Sequence, residues 1–311
     1  MFDAAADLEL DPRYDAVDDE EVTELLVGAV DLHVHPAPSP FPRRLGLLQA
    51  VWQAHAAGFR GLIVKSHHHS MVTDVLAVSD AVGALPIPVH SGVALNNQVG
   101  GINPSAVELA LNLGGRIVWF PTISSDRHIC VHNEELKFPR TAKPFRKDTP
   151  TAVLDGDGRV LPEVHDVLDL IRDADAILSG GHMGVGELDA VIRAAHAKGI
   201  EKIVVSHPNF VIGAEPELCR EWSGLGVKFE HALCMYDDRS SFYHWELDVM
   251  LEYVKAVGVE NTYIGSDLGQ LGNPYPVQAY RRVVRGLLDL GVSHDDIRTM
   301  VSTNPGRMLG V

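Results

Sequence analysis

Eight short apolar runs punctuate the chain, at 29–33, 61–65, 87–94, 116–122, 176–179, 202–206, 227–230 and 262–266. Runs of this length, rich in Val and Ile, read as buried strands, and longer amphipathic stretches lie between most of them. Residues 45–57, 105–113, 186–198 and 247–257 carry the helical pattern, and several such stretches stop at a glycine (Gly58, Gly114, Gly199, Gly258) able to take a left-handed cap. Strand–helix alternation implies parallel strands joined by right-handed crossovers. Eight repeats of that unit predict an α/β fold, a (β/α)8 TIM barrel over residues 29–311, which typically takes about 250 residues. An open doubly wound sheet competes with it, but no Gly-rich phosphate fingerprint follows the first run. Ahead of the barrel, residues 1–28 read as an acidic leader and a helix over 18–27 whose first turn is crowded with carboxylates.

The interval between the fourth and fifth runs is unusually long. Residues 124–166 fill it as a lid insertion, with a hairpin (TAVLDGDGRVLP, turning at 155–158) and a basic arm, KFPRTAKPFRK. That arm holds Lys137, Arg140, Lys143, Arg146 and Lys147 in a chain of formal net charge −16. It suits an anionic group on a small-molecule substrate, and reads equally as a solvated loop or a subunit contact, which allows a homo-oligomer. The acidic balance elsewhere repels polyanions, so neither nucleic acid nor an anionic membrane is expected as a partner. No apolar run approaches the ~18 residues of a membrane helix. The N-terminus lacks the order of a secretory signal, and Cys130, Cys219 and Cys234 are scattered without a CxxC spacing. A cytoplasmic protein is expected.

The chemistry lies where the runs end. DLHVHP closes the first, and strand alternation sets His33 and His35 on one face, about 7 Å apart along the backbone. In a barrel that face is the interior and the strand's C-terminal end is the catalytic mouth, where two imidazoles suit a divalent metal such as zinc; a hydrogen-bonded pair of core histidines is the bland alternative. His182 follows AILSGG, His207 follows KIVVS, and Asp267 follows TYIGS, each at the end of another run. A carboxylate buried among imidazoles is costly without a cation. On the second run, GLIVKSHHHS, alternation puts Ile63, Lys65 and His67 on one face; His67 is a candidate pocket residue, and His231, ending the seventh run, a candidate substrate contact.

DLHVHP, GGHMG, VSHPN and GSD at the first, fifth, sixth and eighth runs, with the closing STNPGRMLGV, resemble the amidohydrolase superfamily of metal-dependent hydrolases. The resemblance implies that His33 and His35 hold one metal, His182 and His207 a second, and that Asp267 binds metal and shuttles a proton. With a single ion, His207 instead polarises substrate or water. One departure marks an atypical branch: the fourth run, RIVWFPTISS, lacks the bridging Lys or Glu. Lys65, carbamylated, is one replacement; a Lys reaching the mouth to bond substrate or Asp267 is the other. The expected activity is hydrolysis of an amide, lactone, cyclic imide or ester by metal-activated water, with one or two ions of zinc or manganese. A single-metal decarboxylase or hydratase, a phosphoesterase, and a non-catalytic metal-binding barrel are the alternatives.

Overall fold

The computed structural model describes residues 19–132, 141, 143 and 145–311. The leader over 1–18 and Lys137 and Arg140 of the basic arm lie outside the described residues. The first described helix is Glu20–Leu26, started by the Asp19 side chain, which accepts the Val22 N–H.

The apolar runs form parallel strands in chain order: β1 (Val30–Val34), β2 (Gly61–Val64), β3 (Val89–His90), β4 (Gly92–Ala94), β5 (Ile117–Trp119), β6 (Ile177–Ser179), β7 (Ile203–Ser206), β8 (Lys228–Ala232) and β9 (Thr262–Gly265). The third run is split at Ser91, whose hydroxyl donates to the Val64 carbonyl at 2.6 Å. Gly92 resumes the strand against Ile117, and a Cβ there would land 1.7 Å from the Ile117 carbonyl oxygen. Just beyond β9, Asp267 N–H donates to the His33 carbonyl and His35 N–H to the Leu268 carbonyl, both at 2.8 Å. These bonds join the last strand to the first, and the architecture is a (β/α)8 barrel.

Inside, Val30, Leu32, Ile63, Ala94, Ile117, Trp119, Ile177, Val204 and Tyr263 pack together with Met308 and Leu309 of the closing helix Asn304–Leu309. That helix seals the end where the strands begin: the Asn304 amide donates to the Val259 and Thr262 carbonyls, at 2.8 and 2.6 Å. An apolar plug of this kind, at about 1.5–3 kcal/mol per large side chain buried, leaves only the C-terminal mouth for polar groups. The outer strand faces bury Val34, Val64 and Ile264 on one side and Val118, Val205 and Phe229 on the other, beneath helices such as Leu47–Ala56, Val185–Ala197 and Leu247–Val257.

In the insertion, Asp126–His132 is helical, and Leu154 pairs antiparallel with Val160 around the turn expected at 155–158. The segment after the basic arm is tied down, because the Asn97 side chain accepts the Thr149 N–H at 2.7 Å and donates to the Thr151 hydroxyl at 3.1 Å. Among the described residues, no helix is long and apolar enough to cross a membrane.

Candidate metal centre

β1 does not alternate simply. Val30 and Leu32 belong to the interior cluster, yet His33 and His35 also point inward, because the register with β2 shifts between Asp31 and Val34. Such a bulge frees backbone groups. The Asp31 carboxylate collects them: its Oδ1 accepts the N–H of His33 and of Ser266, each at 3.0 Å. The Ser266 hydroxyl donates to the His33 carbonyl at 2.9 Å, so the bulge and the β9 end are clamped together. Burial raises the Asp31 carboxyl to about 7, against the hydrogen bonds from Ser266.

The clamp aims three donors at one point. His35 Nε2 lies 3.2 Å from His33 Nε2 and 3.0 Å from Asp267 Oδ1, and His33 Nε2 lies 3.3 Å from the same oxygen. Asp267 holds a left-handed backbone (φ 50°), and so does His207 (φ 36°). Asp and His tolerate that region better than most residues, and such strain collects at functional sites.

Glu230 sets the tautomer. Its Oε1 accepts His33 Nδ1–H at 2.8 Å, which leaves the His33 Nε2 lone pair facing Asp267 and His35. Burial holds His35 near 3, so its ring is neutral. Burial pushes Asp267 up, but the adjoining imidazoles of His33 and His35 outweigh it and hold the carboxyl below the usual carboxylate range. Two imidazole nitrogens and a carboxylate oxygen within 4.8 Å of one another offer three ligand atoms that fit a divalent cation. A carboxylate behind an imidazole is the arrangement by which proteins orient a ligating histidine, and Glu230 would hold His33 so for a cation. Glu230→Gln should therefore weaken metal affinity about 10- to 100-fold while the fold persists, as read by competition with a chromogenic chelator.

Lys65 is 2% exposed, with Nζ 3.1 Å from His33 Nε2 and 5.2 Å from the Trp119 ring centroid. Burial lowers it to about 8, against the pull of Asp267 and Glu230. His182 and His207 stand beside this centre, their ring centroids 4.9 Å apart and His207 6.5 Å from His33. Burial keeps His182 well below its ordinary value and His207 near 4, so both rings are neutral. Among the described residues, neither joins a three-donor group. His67 stacks on His35 at 4.9 Å and its Nδ1 meets the Thr122 hydroxyl at 2.8 Å.

His231 lies on the opposite face of β8 from Glu230. Glu230 takes the inward position on β8, so alternation turns His231 outward, where its Nδ1 bonds the Tyr236 hydroxyl at 3.2 Å and its ring lies 5.8 Å from Tyr253. Sequence reading also passed over Asp31 and Glu230, and over Cys234, whose thiol donates to Asp267 Oδ2 at 3.7 Å. His128, within the insertion, also reaches the site, its Nδ1 2.9 Å from His182 Nδ1. Only Asp31 had a local signal, its position two residues before the first histidine.

The model of a family of unknown function, DUF6282, matches residues 28–230. No curated protein matches the sequence. Among solved structures, an amidohydrolase from Pseudomonas aeruginosa is 12% identical with a TM-score of 0.59, over 93% of this chain and 98% of that one. The probable dipeptidase PvdM from Pseudomonas aeruginosa is 15% identical with a TM-score of 0.58, over 93% and 96%. A 2,6-dihydroxybenzoate decarboxylase, in complex with 2,6-dihydroxybenzoate, is 12% identical with a TM-score of 0.55, over 92% and 100%. At these identities the likeness establishes the amidohydrolase barrel fold.

Proposed function

We propose, for a chain that belongs to the DUF6282 family and is built on the amidohydrolase fold, a metal-dependent hydrolase that cleaves an amide, lactone, cyclic imide or ester bond of a small molecule. The convergence of His33, His35 and Asp267 donors at the barrel mouth carries this reading. His33, His35 and Asp267 would hold the cation, zinc or manganese, with His182 as an added donor and Lys65, carbamylated or free, beside it. When bound, the cation lowers the pKa of attacking water towards neutrality and polarises the scissile carbonyl. Asp267 is the opening in an otherwise closed cluster: its side chain is 17% exposed, against 2% and 1% for His33 and His35. Its carboxylate takes the proton of the attacking water and returns it to the leaving group. His207, buried and neutral, presents a ring nitrogen that can hydrogen-bond the substrate carbonyl and follow its developing charge.

A second reading is favoured by the single three-donor group among the described residues. With one ion, His182 serves as ligand and His207 as acid/base, an arrangement that suits decarboxylation or hydration. One experiment separates the readings. Chelated protein should lose turnover of a panel of amides, lactones, imides and esters, and zinc or manganese should restore it. Release of carbon dioxide from an acid substrate, with no hydrolytic product, would select the second reading. Turnover untouched by exhaustive chelation would overturn both.

A further inference from the structure

The loop leaving β1 folds back over the loop leaving β9. Arg44 N–H donates to the Gly269 carbonyl at 2.8 Å, Leu271 N–H to the Pro42 carbonyl at 3.2 Å, and Arg43 pairs antiparallel with Gln270. Arg43 is thereby held over the mouth, opposite a residue three positions from Asp267. Its Nε is buried without a hydrogen-bond partner, and among the described residues it forms no ion pair. Several other arginines are engaged: Arg282 with Asp237, Arg193 with Asp189, Arg172 with Asp169. A desolvated guanidinium is expensive to keep, and Asp267, the carboxylate whose charge offsets part of that cost, forms no ion pair with it. Its positive field reaches His35, Asp267 and His68.

Beside it stands an aromatic wall. Phe41, two residues before Arg43, has its ring centroid 5.1 Å from His68 and 6.1 Å from Phe145, and His68 lies 5.3 Å from Phe145. Phe145 comes from the lid and is 46% exposed, an apolar ring kept in water next to the mouth. Across the pairing, Gln270 donates its amide N–H to the Asp267 carbonyl at 3.1 Å, and its buried Oε1 has no partner. Guanidinium, rings and spare acceptor thus come from the segments that follow β1, β2 and β9 and from the lid.

We propose that Arg43 is a specificity-determining residue that takes a substrate carboxylate, the planar remainder of the molecule lying against Phe41, His68 and Phe145. The substrate class is therefore a small planar or aromatic carboxylic acid, with its reacting bond presented to Asp267. A guanidinium matches the two oxygens of a carboxylate with two parallel N–H bonds, and one fixed positive charge balances one negative one. This inference deepens the hydrolase reading and rests on the mouth's being the reaction centre.

The test is binding, so it does not wait for a turnover substrate. Benzoate, its neutral isostere benzamide, and acetate are titrated into metal-loaded and chelated protein by calorimetry. Benzoate should bind more tightly than either of the others in both forms, and Arg43→Gln should weaken benzoate about 10- to 100-fold while leaving benzamide unchanged. Arg43→Lys, which keeps the charge and loses the fork, should fall between, and its unfolding curve checks that the loop is intact. Phe41→Ala should remove the advantage of benzoate over acetate. Equal binding of benzoate and benzamide, or undiminished benzoate affinity in Arg43→Gln, would overturn the assignment. Benzoate that binds the loaded protein alone and ignores Arg43 would show capture by the cation, which also overturns it. If Arg43-dependent binding survives in chelated protein whose turnover proves indifferent to chelation, the subsite stands and the hydrolase reading falls.

Discussion

His33→Ala will release the bound cation and lower the thermal stability of the protein in both its loaded and its chelated forms. Two effects combine. The first is linkage: a cation held by the native state alone adds about 2.7 kcal/mol at a hundredfold excess over its dissociation constant, and that increment vanishes with the site. The second belongs to the chain. His33 Nδ1 is 2.8 Å from Glu230, which is 1% exposed, and His33 Nε2 is 3.1 Å from the buried Lys65. Truncation leaves a carboxylate and an amine buried beside a void; removing one partner of a buried pair costs about 3–5 kcal/mol. Elemental analysis and thermal unfolding with and without chelator separate the two. The variant should contain little metal, and its melting temperature should no longer respond to chelation. A variant that keeps one equivalent of metal refutes the donor assignment.

The barrel was legible because its signal is repeated and local. Each apolar run became a strand within a few residues, and the helices expected at 105–113, 186–198 and 247–257 became Pro104–Asn112, Val185–Ala197 and Leu247–Val257. Local patterns do not encode long-range fit. The break at Ser91 and the close approach of Gly92 to Ile117 beside it are matters of contact between neighbouring strands. The site divides in the same way. His33 and His35 are two residues apart, so their shared face is a local fact, though the inward turn of both depends on a bulge that Asp31 holds with a bond to Ser266. Glu230 and His231 are adjacent and face opposite ways, and nothing in KFEHA says which faces in. That is decided by the barrel's closure, which brings Glu230 under His33, 197 positions away. Arg43 and His128 lie on segments outside the strands, where no period constrains direction; only the pairing with Gln270 and the approach to His182 reveal them.

Asp267→Asn will lower turnover about 10²- to 10⁴-fold with most of the bound cation retained, the range expected when a positioned proton acceptor is removed. The choice of Asn follows from the backbone. Asp267 sits at φ 50°, where Asn is nearly as comfortable and Ala is strained, and the N–H bond to the His33 carbonyl is indifferent to the side chain. The amide keeps one oxygen for the cation beside His33 and His35, and presents a group of the same size to the Cys234 thiol. What it cannot do is accept a proton near neutral pH, so a loss in kcat with metal content and unfolding temperature little changed isolates that function. Metal lost in step with activity would instead make Asp267 chiefly a ligand, and the proton acceptor would have to be sought at His207. Turnover preserved in Asp267→Asn would remove the carboxylate from the mechanism, because no other part of the proposal depends on its charge being exchangeable.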